Sequence, residues 1–95
     1  MDWEAEAKRL KALVSTPEIL DFFEGVKREA AFQRELWAKN DAQKSPEDWF
    51  WLVGYLAGKA LRAHVTGDTE KALHHTISTA AALYNWHAAI PRGVG

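Results

Sequence analysis

The chain has 95 residues, with 12 Lys or Arg against 13 Asp or Glu, and this balance excludes the basic excess expected of a DNA or RNA binder. Hydrophobic residues make up 47%, too many for a disordered chain, and the absence of Cys rules out both a disulfide framework and a thiolate metal site. The N-terminus is charged from Asp2 onward, and the longest apolar stretch, Trp49 to Leu61, is too short to cross a bilayer. We therefore expect one cytoplasmic domain over residues 1–95, with no membrane partner. Five Trp, four Phe and two Tyr are a large aromatic load for so small a domain, whose surface-to-volume ratio is poor. Some of these rings are expected in a subunit interface rather than a monomer core.

Hydrophobic periodicity predicts an all-α bundle of about four helices. The first, over residues 1–14, has a weak apolar face from Leu10, Leu13 and Val14. The next signal is Thr16 as N-cap with Pro17 at the first helical position and Glu18 behind it, starting a helix that runs to about Lys39. Ile19, Phe22, Phe23, Val26, Ala30, Gln33 and Trp37 recur there at helical steps. Ser45, Pro46, Glu47 and Asp48 start a third helix that continues to about Val65 and is apolar nearly all round from Trp49 to Leu61. That pattern predicts it to be the central helix, with Gly54 and Gly58 open to close approach by another. Thr66-Gly67 ends it, and Asp68 caps a fourth helix that stops near Ala89 before Pro91. Leu73, Ile77, Ala80, Ala81, Tyr84 and Ala88 are the expected buried face of that helix, and the small residues from Thr79 to Ala82 suit tight packing.

Few residues suggest chemistry. His74, Ser78, Ala81 and Asn85 share one stripe of the fourth helix, and a bundle with such groups facing inward can build a metal or phosphate site. The bland alternative is that the histidines only hydrogen-bond within the bundle. Glu29, Gln33 and Trp37 stand at four-residue steps on the second helix. They could hold a base and a metal, or Trp37 could be core and Glu29 paired to a nearby cation. Trp51, Tyr55, Gly58 and Arg62 form a stripe suited to stacking on a nucleobase, or to packing against helix one, helix two or a second subunit. Lys59, inside an apolar segment, either snorkels to the surface or meets an anion. Neither a phosphate-cradling Gly-rich loop, nor HExxH, nor a Ser-His-Asp set is present.

Two segments together carry a resemblance. Glu29-x3-Gln33-x3-Trp37, followed by Asn40-Asp41 and Ser45-Pro46-x-Asp48-Trp49, resembles the opening of phage and prophage dATP/dGTP diphosphohydrolase domains. The run GDTEKALHHTISTAAALYNWHAAI resembles their closing segment. These families are in turn similar to the MazG-like all-α nucleotide pyrophosphohydrolases; the likeness covers roughly residues 26–92 and implies a MazG-like core over residues 17–92. It implies a MazG-like bundle, homodimeric or larger, that binds a nucleoside triphosphate and, in active members, cleaves it to monophosphate and pyrophosphate with Mg²⁺ or Mn²⁺. The metal ligands of such proteins come from an ExxE on one helix and an ExxD on the next, since a hard ion takes carboxylate oxygen. In this chain those positions fall at Leu56 and Lys59, and at His75 and Ser78.

Two expectations follow from that departure. In a rebuilt enzyme, Glu29 and His75 are catalytic, and Glu29, Asp41 and Asp48 hold Mg²⁺ or Mn²⁺. Gln33, Trp37, Lys59, Arg62, His74 and Asn85 then bind a purine nucleotide. In the alternative, the scaffold has lost the chemistry and sequesters a nucleotide or binds a host or phage protein, with Lys59 and Arg62 as fixed cations in place of a metal.

Overall fold

The computed structural model describes residues 2–92; residue 1 and residues 93–95 of the expected domain lie outside the described residues. The described residues form four α-helices and no strand: α1 (Trp3–Val14), α2 (Pro17–Asp41), α3 (Pro46–Val65) and α4 (Thr69–Ala89). The all-α class and the helix boundaries agree with the sequence reading because each start carries a strong local signal. Asp2, Thr16, Ser45 and Asp68 each accept a hydrogen bond from the backbone N–H three residues on, which satisfies a donor the helix itself cannot. At α3 the cap is reciprocal: the Asp48 N–H donates to Ser45 Oγ (3.1 Å), and the Ser45 N–H donates to Asp48 Oδ2 (3.0 Å). No helix among the described residues is long and apolar enough to cross a membrane.

The turn between α3 and α4 fixes their pairing. Gly67 takes φ +82°, in the left-handed region that a Cβ disfavours. The Asp68 N–H then reaches back to the Ala63 carbonyl (2.9 Å) and the Gly67 N–H to that of His64 (3.2 Å), a Schellman closure of α3. Asp68 immediately caps α4, so the two helices fold back on each other with almost no loop.

The central helix is α4, not α3 as the hydropathy of Trp49 to Leu61 predicts. Both α2 and α3 pack extensively on α4, and no other pair of helices does so. A helix held between two others must be thin, and α4 buries Ser78, Ala81, Ala82 and Asn85. This face is rotated from the expected one: Leu73, Tyr84 and Ala88 are exposed, while the stripe of Ser78, Ala81 and Asn85 faces inward. On the other side of the contact α2 buries only Ala30, and a Cβ on Gly25 would lie 2.9 Å from Ile77 Cδ1. Glycine therefore sets how closely α2 can approach.

The result is an open, flat arrangement measuring 49 × 48 × 21 Å. A compact chain of this length has a radius of gyration of about 12 Å; this one has 16.6 Å. The helix α1 buries no residue and packs extensively on none of the others. No large side chain among the described residues is fully buried; Trp49, at 3% exposure, comes nearest.

Candidate functional site

Because α2 and α3 both rest on α4 without packing extensively on each other, a cleft of about 400 Å³ opens between them. Its walls carry Phe32 and Trp37 from α2 and Trp49, Leu52 and Leu56 from α3; Ser78 and Asn85 of α4 lie at its floor. Trp37 is half-exposed, so it stands at the cleft and not in a core. This size and this mixture of aromatic walls with a few polar groups are those of a small-molecule site.

The polar floor is organised by the inward stripe of α4. Gln33 Nε2 donates to the Ser78 carbonyl (3.2 Å) and to Glu29 Oε1 (3.4 Å), and Ser78 Oγ donates to the same Glu29 oxygen (3.4 Å). Glu29 is thus held by an amide and a hydroxyl rather than by the Lys or Arg considered from sequence. Ser78 Oγ also lies 3.5 Å from His74 Nε2, which ties His74 to the edge of this network. Asn85 is buried and used twice: its Nδ2 donates to the Ala30 carbonyl (3.2 Å), and its Oδ1 accepts from Arg34 Nη2 (3.2 Å). It braces α2 against α4 and shapes the cleft.

Of the residues singled out from sequence, Glu29, Gln33, Trp37, Asp41 and Asn85 line this one cleft. Asp41 is engaged in an ion pair with Lys44, whose ammonium lies 4.8 Å from the centre of the Trp49 ring. Asp48 is exposed and occupied by the α3 cap; the Ser45 backbone N–H, then the Ser45 hydroxyl, hold its carboxyl below the ordinary carboxylate range. Lys59 and His75 lie one helical turn beyond Leu56 and Ser78, outside the cleft lining. Lys59 is half-buried with its ammonium 4.6 Å from the centre of the Tyr55 ring. The His75 ring is 5.4 Å from that of His74. Loss of water around it, then the positive charges of His74, Lys59, Lys71 and Arg62, push its pKa down and disfavour its charged form. Trp51, considered for base stacking, lies on the opposite face of α3 at 71% exposure.

The donors do not fit a resident divalent ion. Among the described residues no three His, Asp or Glu side chains gather where they could share a metal. Mg²⁺ and Mn²⁺ prefer several oxygen ligands, and of the three expected carboxylates Asp41 is paired to a cation and Asp48 is a helix cap.

Sequence reasoning passed over Phe32, Lys44, Trp49, Leu52 and Leu56 as lining residues and Arg34 as a brace. The signal available for Ser78 was its place between His74 and Asn85 on one stripe; for the others there was none, since cleft walls are set by how far α2 and α3 diverge. Comparison of the chain with family models, curated proteins and solved structures finds no match to any of them.

Proposed function

We propose that this chain binds a purine nucleotide in the cleft between α2 and α3, and holds it rather than hydrolysing it. The observation that carries the reading is the cleft itself: an aromatic wall beside a carboxylate and an amide. Trp37 offers a half-exposed ring for stacking on a base. Glu29, fixed through Oε1 by Gln33 and Ser78, has its second carboxylate oxygen available for the amino or ring N–H of a purine. The phosphates would extend past Leu56 and Ser78 toward Lys59 and His75, whereas Arg62 shares the Trp51 stripe on the far face of α3. Lys59 and His75 stand where the resemblance to phage-type diphosphohydrolases and MazG-like proteins would set metal-binding carboxylates, so the same anion would be met by the fixed charge of Lys59 and a hydrogen bond from the His75 ring instead. A second reading, a protein-interaction scaffold, is favoured by the aromatic outer face of α3.

The test is equilibrium dialysis of the purified chain against dATP and dGTP, with Mg²⁺ and again with EDTA, while pyrophosphate is assayed in parallel. Saturable binding that survives EDTA, weakens at least tenfold in Glu29→Ala and Trp37→Ala, and releases no pyrophosphate is expected. Pyrophosphate release that needs Mg²⁺ would replace holding by hydrolysis. Absence of binding by any purine nucleotide would end the reading.

A further inference from the structure

Each polar hydrogen around Glu29 at the floor of the cleft can be assigned to an acceptor. The Ser78 carbonyl and the Glu29 carboxylate only accept, so Gln33 must present its amide nitrogen to both, at 3.2 and 3.4 Å. Reversing the amide would set its oxygen against two other oxygens. Both Gln33 N–H groups are thereby spent. The Ser78 hydroxyl has one hydrogen, and it goes to Glu29 Oε1 (3.4 Å). Toward His74 Nε2, at 3.5 Å, that hydroxyl has only a lone pair left, so the ring nitrogen is the donor there.

What remains is a set of acceptors. Among the described residues, Glu29 Oε2 and Gln33 Oε1 have no hydrogen-bond partner, and no Lys or Arg is paired with Glu29. Both side chains are half-buried and line the cleft. The other polar groups of the lining supply no donor at this point. Asn85 stands about 10 Å farther along α4 and is committed to Ala30 and Arg34. Lys44 is held by Asp41 in the turn after α2.

This inventory discriminates between purines. The edge of the guanine base carries two adjacent donors, N1–H and the 2-amino group. The matching edge of adenine has the 6-amino donor beside N1, which is an acceptor. Guanine can hand a hydrogen to each free oxygen of the floor. Adenine can hand over one, and its N1 lone pair then faces an oxygen with no hydrogen between them. A polar group left unpaired by the wrong ligand is what makes a site reject that ligand. We infer that the cleft selects guanine over adenine nucleotides, with Glu29 Oε2 and Gln33 Oε1 as the acceptors that decide between them. This inference rests on the nucleotide reading above and narrows it from a purine to guanine. Sugar and phosphates are common to both nucleotides, so the choice belongs to the base edge alone.

Calorimetric titration of the purified full chain with dGTP, dITP and dATP, in EDTA, tests this. Hypoxanthine keeps N1–H and lacks the 2-amino group, so dITP is expected to fall between the other two, and dGTP to bind at least tenfold more tightly than dATP. Glu29→Gln keeps an oxygen toward Gln33 and Ser78 and turns an N–H toward the ligand. It should weaken dGTP most and bring the dGTP-to-dATP ratio to within about threefold. Trp37→Ala removes stacking that every base shares, so it should weaken dGTP and dATP alike and preserve the ratio. Binding of dATP as tight as that of dGTP would overturn the guanine inference and leave purine binding in place. A wild-type ratio in folded Glu29→Gln would do the same. Failure of all three nucleotides to bind would remove the nucleotide reading and this inference with it. The three-nucleotide comparison uses the unaltered chain, so it decides the matter even where a variant does not fold.

Discussion

The inner and outer arcs of α3 have much the same composition and opposite surroundings. Trp49 on the inner arc is almost completely buried, beneath Lys44 in the wall of the cleft. Trp51, two residues away, is 71% exposed. Hydropathy that runs all round a helix shows that both faces need cover; it does not say whether the cover comes from the same chain. Here one face is served by α4, and the other is left with aromatic side chains and two glycines.

The largest effect that would test this contrast comes from paired substitutions. Trp49→Ala should destabilise the fold by about 3–5 kcal/mol, the cost of an unfilled aromatic site, seen as a lower denaturation midpoint at every protein concentration. Trp51→Ala should cost no more than about 0.5 kcal/mol, because its ring is 71% exposed and covered by nothing in its own chain. Equal losses for both would erase the distinction between the arcs.

A smaller effect is expected at the polar centre of α4. Asn85→Ala removes the brace to Ala30 and Arg34 and leaves the Ala30 carbonyl without that donor, a cost of about 1–3 kcal/mol. Chemical denaturation would measure it, and binding in the cleft should weaken as α2 loses its anchor. A neutral Asn85→Ala would mean that small residues alone set the α2–α4 contact.

The smallest effect is in pH dependence. The pKa of His75 is depressed in the folded chain by loss of water and by the surrounding cations. The unfolded chain therefore takes up this proton first as pH falls below about 6.5, and stability present above that pH is lost toward the lower folded value. His75→Gln should flatten that decline, as followed by thermal unfolding between neutral and mildly acidic pH. An unchanged slope would place the acid sensitivity on other groups.

The helices were readable in the sequence because their causes are local. Thr16-Pro17, Ser45-Pro46 with Asp48, and Gly67-Asp68 each satisfy backbone groups within a few residues, so no distant contact is needed to place them. Part of the site was legible for the same reason. Glu29, Gln33 and Trp37 share one helix face by spacing alone, and so do Ser78 and Asn85. Spacing could not reveal that these two faces meet, that Ser78 reaches Glu29, or that Lys59 and His75 stand a turn beyond the cleft.

Length, charge and the capping signals were thus enough to establish an all-α chain of four helices with more aromatic surface than a small monomer can hide. Which helix lies at the centre depended on packing between helices. Hydropathy favoured α3, but the position between two neighbours requires a narrow helix, and Ala81, Ala82, Ser78 and Asn85 make α4 the one that fits. The same competition turned Leu73 and Tyr84 outward and opened the cleft between α2 and α3. Burial is a property of what lies opposite a residue, and no residue's own chemistry contains that information.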